Sequence, residues 1–237
     1  MAVATGTRVG VLLCDDLHEE LQSDWASYLA LFENLLADDR DDITVSGYRV
    51  HAGEWPDGLH SADAWLVTGS RESVHEAPDW VVELQAFIRR VDAADMPLIG
   101  VCFGHQLIQA ALGGRTQRSH LGWHLGAYPV HCEAAFAGRQ PGDSLSLLAV
   151  HQDQVVEPAP GFERLATSEQ CPWYATRRGR TLTVQGHPEF DHGFFKAIME
   201  RVRAKAGDEA VDAALAALPA VDHTPAVRES MRDWLRG

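Results

Sequence analysis

The stretch PLIGVCFGHQLIQAALGG, residues 97–114, places a cysteine directly after an apolar run and follows it with Gly, His and Gln. Residues 96–101 are predicted to form a buried strand, and residues 107–112 a helix. Cys102 is therefore expected to be exposed on the sharp turn between them. At a helix N-terminus, unpaired N–H groups and the helix dipole favour an anion such as a thiolate. The alternative role is a small buried apolar residue, and only a base elsewhere in the chain decides between them.

Length and charge limit the classes of protein that this chain can represent. A chain of 237 residues fits one large α/β domain, and we expect a single domain over residues 1–237. The 34 acidic residues exceed the 20 basic ones and give a net charge of −14, which predicts no nucleic-acid partner. The absence of a membrane-length apolar run predicts no membrane association. Four cysteines without a CxxC pair predict a reduced, cytoplasmic protein.

The distribution of lysine also excludes a common cofactor site. The first lysine is Lys196 and the second is Lys205. A GxxxxGK[ST] phosphate-binding loop is therefore missing. We expect no activation of substrates by ATP and no cofactor.

Strand and helix patterns alternate in the first half of the chain. Strands are predicted at residues 7–14, 43–50, 64–70 and 96–101, the third ending in a Gly-Ser turn, with one helix up to about residue 37 and another from Pro78. Apolar residues at helical spacing mark both helices, namely Leu21, Trp25, Tyr28, Phe32 and Leu35 in the first and Trp80, Val81, Leu84, Phe87, Ile88 and Val91 in the second. After residue 115 short β-like runs follow, and helices return at 191–205, 207–218 and 224–236, the middle one an Ala-rich surface helix. This order predicts an α/β fold with a mostly parallel central sheet, helices on both faces and added strands in the C-terminal half.

A candidate base for Cys102 lies at the end of a later strand, in the sequence GHPEF. His187 and Glu189 are two residues apart, so in an extended segment their side chains share a face. Pro188 between them restricts the backbone and favours that extended form. The carboxylate can hold the imidazole tautomer that presents its other nitrogen to a thiol. The alternative is a His-Pro turn with a solvated glutamate.

The Gly-x-Cys-x-Gly-His-Gln motif around Cys102, followed by His-Pro-Glu, resembles the class I glutamine amidotransferase family. The resemblance covers roughly residues 8–195. It implies a flavodoxin-like fold with Cys102 on a nucleophile elbow. It also implies a Cys-His-Glu triad of Cys102, His187 and Glu189 that forms a γ-glutamyl thioester on the cysteine.

The same resemblance implies positions for the oxyanion hole. The segment TGSRES, residues 68–73, stands where the family has an oxyanion-hole loop. Gly69 or Ser70 is expected to supply one backbone N–H group, and Phe103 the other. Thr68 and Arg71 depart from the Gly-Gly-Ser-Pro pattern that many family members have there.

Substrate contacts are implied at two further places. Gln106 lies four residues after Cys102, where the family uses a glutamine to contact bound glutamine. The segment HQDQV, residues 151–155, matches a family segment that lines the amino-acid end of the substrate, which implicates Gln152 and Asp153. Asp153 is expected to pair with the α-ammonium group. The alternative for Asp153 is a turn-forming aspartate.

A metal site is the competing interpretation of the acidic and histidine residues near the C-terminal strand. The spacing contains neither HExxH nor CxxC, and a metal leaves Cys102 without a role. We therefore expect no metal. The residues considered for it are His187, Glu189, Asp191, His192, His151 and Asp153.

Three functions are compatible with these motifs. The segment GWHLG, residues 122–126, resembles a stand-alone branch similar to the amidotransferase half of GMP synthase, and this branch includes γ-glutamyl peptidases. The first function is hydrolysis of glutamine or of a γ-glutamyl peptide or amide, with a small γ-glutamyl molecule as substrate. The second is a glutaminase subunit that delivers ammonia to an ATP-dependent synthetase partner. The third is a non-catalytic regulatory binding module. The sequence leaves the leaving amine and the oligomeric state open.

Overall fold

The computed structural model describes residues 6–40, 42–76, 78–218 and 222–237, and these contain thirteen strands and seven α-helices. The strands are β1 (Thr7–Leu12), β2 (Ile43–Tyr48), β3 (Ala64–Val67), β4 (Leu98–Val101), β5 (Arg115–Arg118), β6 (His124–Gly126), β7 (Val130–Cys132), β8 (Ser144–Leu145), β9 (Ala149–His151), β10 (Asp153–Glu157), β11 (Glu163–Thr167), β12 (Ala175–Arg178) and β13 (Thr181–Val184). The helices are α1 (Gln22–Trp25), α2 (Tyr28–Leu36), α3 (Asp79–Ala93), α4 (Phe103–Ala111), α5 (His192–Ala206), α6 (Asp208–Ala216) and α7 (Thr224–Arg236).

Nine strands form one sheet in the order β2-β1-β3-β4-β13-β12-β11-β7-β8. The strands from β2 to β13 in this order are parallel to their neighbours, and those from β12 to β8 are added by antiparallel pairing. The other four form two antiparallel ribbons, β5 with β10 and β6 with β9. The predicted α/β fold, with parallel strands at its centre and further strands from the C-terminal half, is confirmed.

Successive residues of a strand point to opposite sides of the sheet, and the central strands are continuous apolar runs. Both faces of the sheet are therefore apolar. In β3, Trp65 and Val67 pack with α3 and α4, whereas Leu66 joins the core under α2, α5 and α7. The apolar stripe predicted on the helix after Pro78 is buried in α3, at Val81, Leu84, Phe87, Ile88 and Val91. The sheet is therefore a buried central layer, as the apolar strands predict.

The prediction of one continuous first helix is wrong, because two shorter helices occupy that segment. The structure ends α1 at Trp25 and begins α2 at Tyr28. Ala26 between them has φ 57°, a left-handed conformation that alanine rarely adopts. The Ser27 side chain then caps α2 by accepting a hydrogen bond from the Ala30 N–H at 3.0 Å. Helical spacing of apolar residues continues across the break, so the spacing alone does not reveal it.

The C-terminal helices agree closely with the predicted segments. One correction concerns α6, which is not a plain surface helix because Val211 and Ala214 are buried on its inner face. None of the helices in the described ranges is both long and apolar enough to cross a membrane.

The carboxyl ends of the central parallel strands meet at one edge of the sheet. There β1 leads to Asp15, β3 to Gly69, β4 to Cys102 and β13 to His187. In open α/β sheets this is the edge where ligands bind. The strands β1 and β2 end at Leu12 and Tyr48, before the predicted ends at residues 14 and 50, and β3 ends at Val67, before the predicted Gly-Ser turn. The residues between are therefore loops available to a site.

Helix α4 lies unusually close to the end of β3, and a glycine makes this possible. The Gly104 N–H donates to the Thr68 carbonyl oxygen at 3.1 Å. A Cβ atom at Gly104 would lie 2.2 Å from the Val67 carbonyl oxygen, far inside van der Waals contact. Any side chain here must push α4, and Cys102 at its start, away from the sheet.

We expect Gly104→Ala to lower the free energy of unfolding by about 1–3 kcal/mol, the typical cost of overpacking, because the clash is with backbone. Urea unfolding of the purified variant measures this. Gly58→Ala is the matched control, since no atom lies within 4 Å of a Cβ there. Equal stability of the two variants would contradict the close-packing argument.

Candidate active site

A cavity of about 440 Å³ opens at the carboxyl edge of the parallel strands. Seven of the predicted site residues line it: Cys102, His187, Ser70, Phe103, Gln106, Gln152 and Asp153. The other two, Gly69 and Glu189, are not part of the lining, but both lie against His187. A larger groove of about 590 Å³ beside α7 has neither a cysteine nor a histidine in its lining. The smaller cavity is therefore the candidate active site.

Cys102 occupies a strained turn between β4 and α4. Its φ of 51° and ψ of −104° lie outside the regions that non-glycine residues normally occupy. The expected exposure is wrong, since only 5% of Cys102 is accessible. The Val150 carbonyl oxygen lies 3.9 Å from Sγ, and the Gln185 side-chain amide donates to Sγ at 3.5 Å. The thiol is thus buried at the floor of the cavity, at the N-terminus of α4.

His187 is held in one orientation by two neighbours. Its Nδ1 lies 2.7 Å from Glu189 Oε1, and both side chains are almost completely buried. Because a carboxylate only accepts hydrogen bonds, Nδ1 carries a proton, and Nε2 is the nitrogen left to exchange a proton with a neighbouring group. The Phe190 ring stacks on the imidazole with centroids 4.1 Å apart. His187 Nε2 is buried without a hydrogen-bond partner in the described part of the chain.

The charges around His187 favour its protonated form. Burial lowers the pKa of His187, but the Glu189 carboxylate and the Cys102 sulfur raise it by more, so the net pKa lies above its ordinary value. Coulomb interactions that outweigh the effect of burial on a pKa require short distances between the charges in a poorly solvated site. The three side chains therefore form one electrostatic unit in which an imidazolium is stable beside the sulfur.

The loop after β3 passes directly over Cys102 and His187. A Cβ atom at Gly69 would lie 3.3 Å from His187 Cε1 and 2.9 Å from the Tyr28 hydroxyl oxygen, so the loop can come this close only with glycine. The Ser70 hydroxyl donates to the Cys14 carbonyl oxygen at 2.8 Å and fixes the loop.

Three backbone N–H groups remain available near the sulfur. Those of Gly69, Ser70 and Phe103 have no acceptor among the described residues. The Arg71 N–H is excluded because it donates to Asp15 Oδ2 at 2.9 Å. Either Gly69 or Ser70 can thus pair with Phe103 around a developing oxyanion.

The predicted substrate residues lie together in the wall of the cavity. Gln106 is buried, and its amide donates to the Asp153 carbonyl oxygen at 2.7 Å. Asp153 is the first residue of β10, so the turn-forming alternative is wrong. Its Oδ2 accepts from the Ser73 hydroxyl, and its Oδ1 lies 3.5 Å from Arg118 Nε. Gln152 lines the cavity beside it.

His151 stiffens this wall as a neutral ring. Its Nδ1 lies 3.0 Å from the Asp153 carbonyl oxygen, which can only accept, so Nδ1 donates. Its Nε2 then accepts from the Tyr128 hydroxyl at 2.8 Å. Burial lowers the pKa of His151 well below its ordinary value, which keeps the ring uncharged.

Several residues of the site are not among those predicted from the sequence. Gln185 was detectable, because it lies two residues before His187 and therefore on the same face of an extended segment. Tyr28 lies at helical spacing from Trp25 and Phe32, so the sequence indicates only a place in an apolar helical stripe. Ser73 and Arg118 gave no signal, since their roles depend on the pairing of distant segments.

The metal interpretation finds no support in the geometry. In the described ranges no group of three or more His, Cys, Asp or Glu side chains is placed to hold a metal ion. Asp191, one of the residues considered, instead caps α5 by accepting a hydrogen bond from the Phe194 N–H at 2.7 Å.

Comparisons with known proteins identify the family of this chain. A γ-glutamyl peptidase 4 from Arabidopsis thaliana is 30% identical over 190 residues, covering 76% of this chain and 74% of the relative. A GMP synthase [glutamine-hydrolyzing] from Pyrobaculum aerophilum is 35% identical over 133 residues, but these cover 54% of this chain and only 24% of that protein. The crystal structure of a glutamine amidotransferase from Thermotoga maritima shares the fold, with a TM-score of 0.74 at 18% identity, covering 98% of this chain and 99% of that one.

The family model described as "Glutamine amidotransferase class-I" matches residues 43–204, which include the loop after β3, the Cys102 turn and the His187–Glu189 segment. With the fold, the relatives and this match in agreement, the chain belongs to the class I glutamine amidotransferase family.

Proposed function

We propose that this chain is a stand-alone hydrolase of γ-glutamyl amides that uses Cys102 as its nucleophile. One observation carries the proposal: Cys102 and His187 line one cavity, and His187 is hydrogen-bonded to the buried Glu189. The substrate is glutamine or a γ-glutamyl peptide or amide, and the amine leaves through the open side of the cavity.

Acylation begins when His187 Nε2 takes the proton of the Cys102 thiol. The sulfur attacks the γ-carbonyl carbon, and the N–H groups of Phe103 and of Gly69 or Ser70 stabilise the oxyanion. When the tetrahedral adduct collapses, the C–N bond breaks and His187 returns its proton to the leaving amine. The products of this half-reaction are the free amine and a γ-glutamyl thioester.

Deacylation uses the same groups, with water as the nucleophile and the Cys102 sulfur as the leaving group. His187 removes a proton from water, and the resulting hydroxide attacks the thioester carbonyl. The C–S bond then breaks, glutamate leaves, and the imidazolium returns its proton to the sulfur. Asp153 binds the α-ammonium group through a charge-assisted hydrogen bond, and Gln106 and Gln152 flank it.

The relatives favour the γ-glutamyl hydrolase over the glutaminase subunit. The match to the γ-glutamyl peptidase extends over 74% of that protein, whereas the match to the GMP synthase includes only 24% of it. The second candidate, a glutaminase subunit for an ATP-dependent synthetase, is supported by the GMP synthase relative. All four cysteines are unpaired thiols, which fits a reducing, cytoplasmic setting.

Cys102→Ala is expected to abolish amide hydrolysis while the protein remains folded, because only the Sγ atom is lost. Release of p-nitroaniline from γ-glutamyl-p-nitroanilide and thermal unfolding should be measured on one preparation. Cys132→Ala is the matched control, since Cys132 is equally buried but lies outside the cavity lining. Cys14→Ala and Cys171→Ala should likewise keep most activity. Full activity of Cys102→Ala would refute the proposal.

Replacing Glu189 with Gln should shift the pH profile of kcat/KM. The proton transfer from Cys102 to His187 gives a thiolate–imidazolium pair, and activity is lost at alkaline pH when the imidazolium loses its proton. The Glu189 charge raises the pKa of His187, so its removal lowers that pKa and moves the alkaline limb to lower pH. At the optimum we expect a loss on the order of tenfold or more, smaller than the loss in His187→Ala. An unchanged alkaline limb in Glu189→Gln would show that the carboxylate does not act on the imidazole.

The substrate profile separates the two candidate functions. As a stand-alone hydrolase, the purified chain should cleave some γ-glutamyl peptide or amide faster than free glutamine, with no added protein. A panel of γ-glutamyl amides, assayed for released glutamate, tests this. Feeble activity that rises strongly with a co-purifying ATP-dependent ligase and its nucleotide would support the glutaminase subunit instead.

A further inference from the structure

The strand β5 brings one cation to the wall that Asp153 occupies. In the β5–β10 ribbon Arg118 pairs directly across from Asp153, and both side chains line the cavity. Asp153 is buried, whereas 62% of the Arg118 side chain is exposed. A negative group therefore lies deep in the wall, with a positive group beside it nearer the solvent.

Arg118 is weakly paired in comparison with the other arginines of the cavity. Arg71 contacts Asp15 through two nitrogens, with Nε at 2.8 Å, and Arg201 pairs closely with Glu20. Arg118 reaches Asp153 through Nε alone, at 3.5 Å. Its terminal nitrogens have no acceptor in the described part of the chain, so its guanidinium can still bind an anion with two parallel hydrogen bonds.

A second donor without a partner belongs to the same cavity lining. Trp123 lines the cavity, and its indole N–H is buried without an acceptor among the described residues. A buried donor left without a partner is unfavourable, so a ligand oxygen that accepts from it gains affinity.

We propose that Arg118 binds the α-carboxylate of the γ-glutamyl group, next to the α-ammonium group on Asp153. An amino acid carries both charges on one carbon, and the Asp153–Arg118 pair presents the opposite charges side by side. The ion pair of the wall thus complements the zwitterion of the substrate. The proposal rests on the function proposed above and narrows its substrate class.

The substrate class that follows is a γ-glutamyl compound whose α-carboxylate and α-ammonium groups are both free. A glutamine residue inside a peptide chain has neither charge, so it cannot satisfy Asp153 or Arg118. The enzyme is therefore directed at small γ-linked glutamyl molecules and not at glutamine residues of proteins.

Combining a variant with a modified substrate tests the contact. Wild type and Arg118→Gln are assayed with γ-glutamyl-p-nitroanilide and with its α-carboxamide analogue. For the wild type, removal of the carboxylate should lower kcat/KM by about ten- to hundredfold, the range for a charge-assisted hydrogen bond. Arg118→Gln should show a similar loss on the free acid, mainly in KM, and less than about threefold on the carboxamide.

Three further variants give the experiment its controls. Arg115→Gln removes the same charge from the same strand, but Arg115 pairs with Glu157 outside the cavity lining, so its kinetics should not change. Arg118→Lys should recover part of the activity on the free acid. Equal losses of Arg118→Gln on both substrates would overturn the proposal. Lys205 also lines the cavity, so a carboxylate-dependent loss in Lys205→Gln instead would overturn it as well.

A binding measurement separates this proposal from the proposed function. Calorimetry with Cys102→Ala compares L-glutamine with L-glutamine α-amide. Tighter binding of L-glutamine that is lost in Cys102→Ala/Arg118→Gln supports the contact even if the wild type hydrolyses nothing. Equal binding of both ligands by Cys102→Ala would overturn it even in an active enzyme.

Discussion

The left-handed backbone at Cys102 is the constraint on which the rest of the site depends. A residue with φ of 51° costs free energy outside glycine, so the surrounding structure must hold it there. On one side the Cys102 N–H donates to the Val184 carbonyl oxygen at 2.9 Å and continues the β4–β13 pairing. On the other side the Gly104 N–H donates to the Thr68 carbonyl oxygen. The turn is thus fixed by strands β3 and β13, and these lead to the Gly69–Ser70 loop and to His187.

Helix α4 is anchored further by a buried chain of polar side chains. Gln109 donates to the Thr176 hydroxyl at 2.9 Å, the Thr176 and Thr183 hydroxyls lie 2.7 Å apart, and Thr183 reaches His105 Nδ1 at 2.7 Å. Burial lowers the pKa of His105 to about 3, so the ring is neutral. Such networks fix one arrangement, because a shift of the helix leaves several buried groups unsatisfied. The polar residues of a helix that is buried on nearly all sides therefore set the position of the sulfur.

The sequence predicts those parts of the site whose residues lie within a few positions of each other. The strand-to-helix turn at Cys102 and the shared face of His187 and Glu189 follow from chain geometry within a few residues. The exposure expected for Cys102 was wrong because Val150 and Gln185, which cover its sulfur, come from β-ribbon and strand segments far along the chain. The break at Ala26 was missed because apolar spacing records which face is buried and does not record backbone conformation.

Pairing between distant segments is also what decides the charge pattern of the cavity. The chain has a net charge of −14, yet most acids at the cavity mouth are paired, Asp15 with Arg71 and Asp16 with Arg49 at 2.6 Å. Neutralised pairs attract or repel a charged ligand only weakly. The loosely held pair of Arg118 and Asp153 is different, because each partner keeps capacity for a further charge. Under the proposed function, discrimination is therefore concentrated at the amino-acid end of the substrate, and the amine end is free to vary.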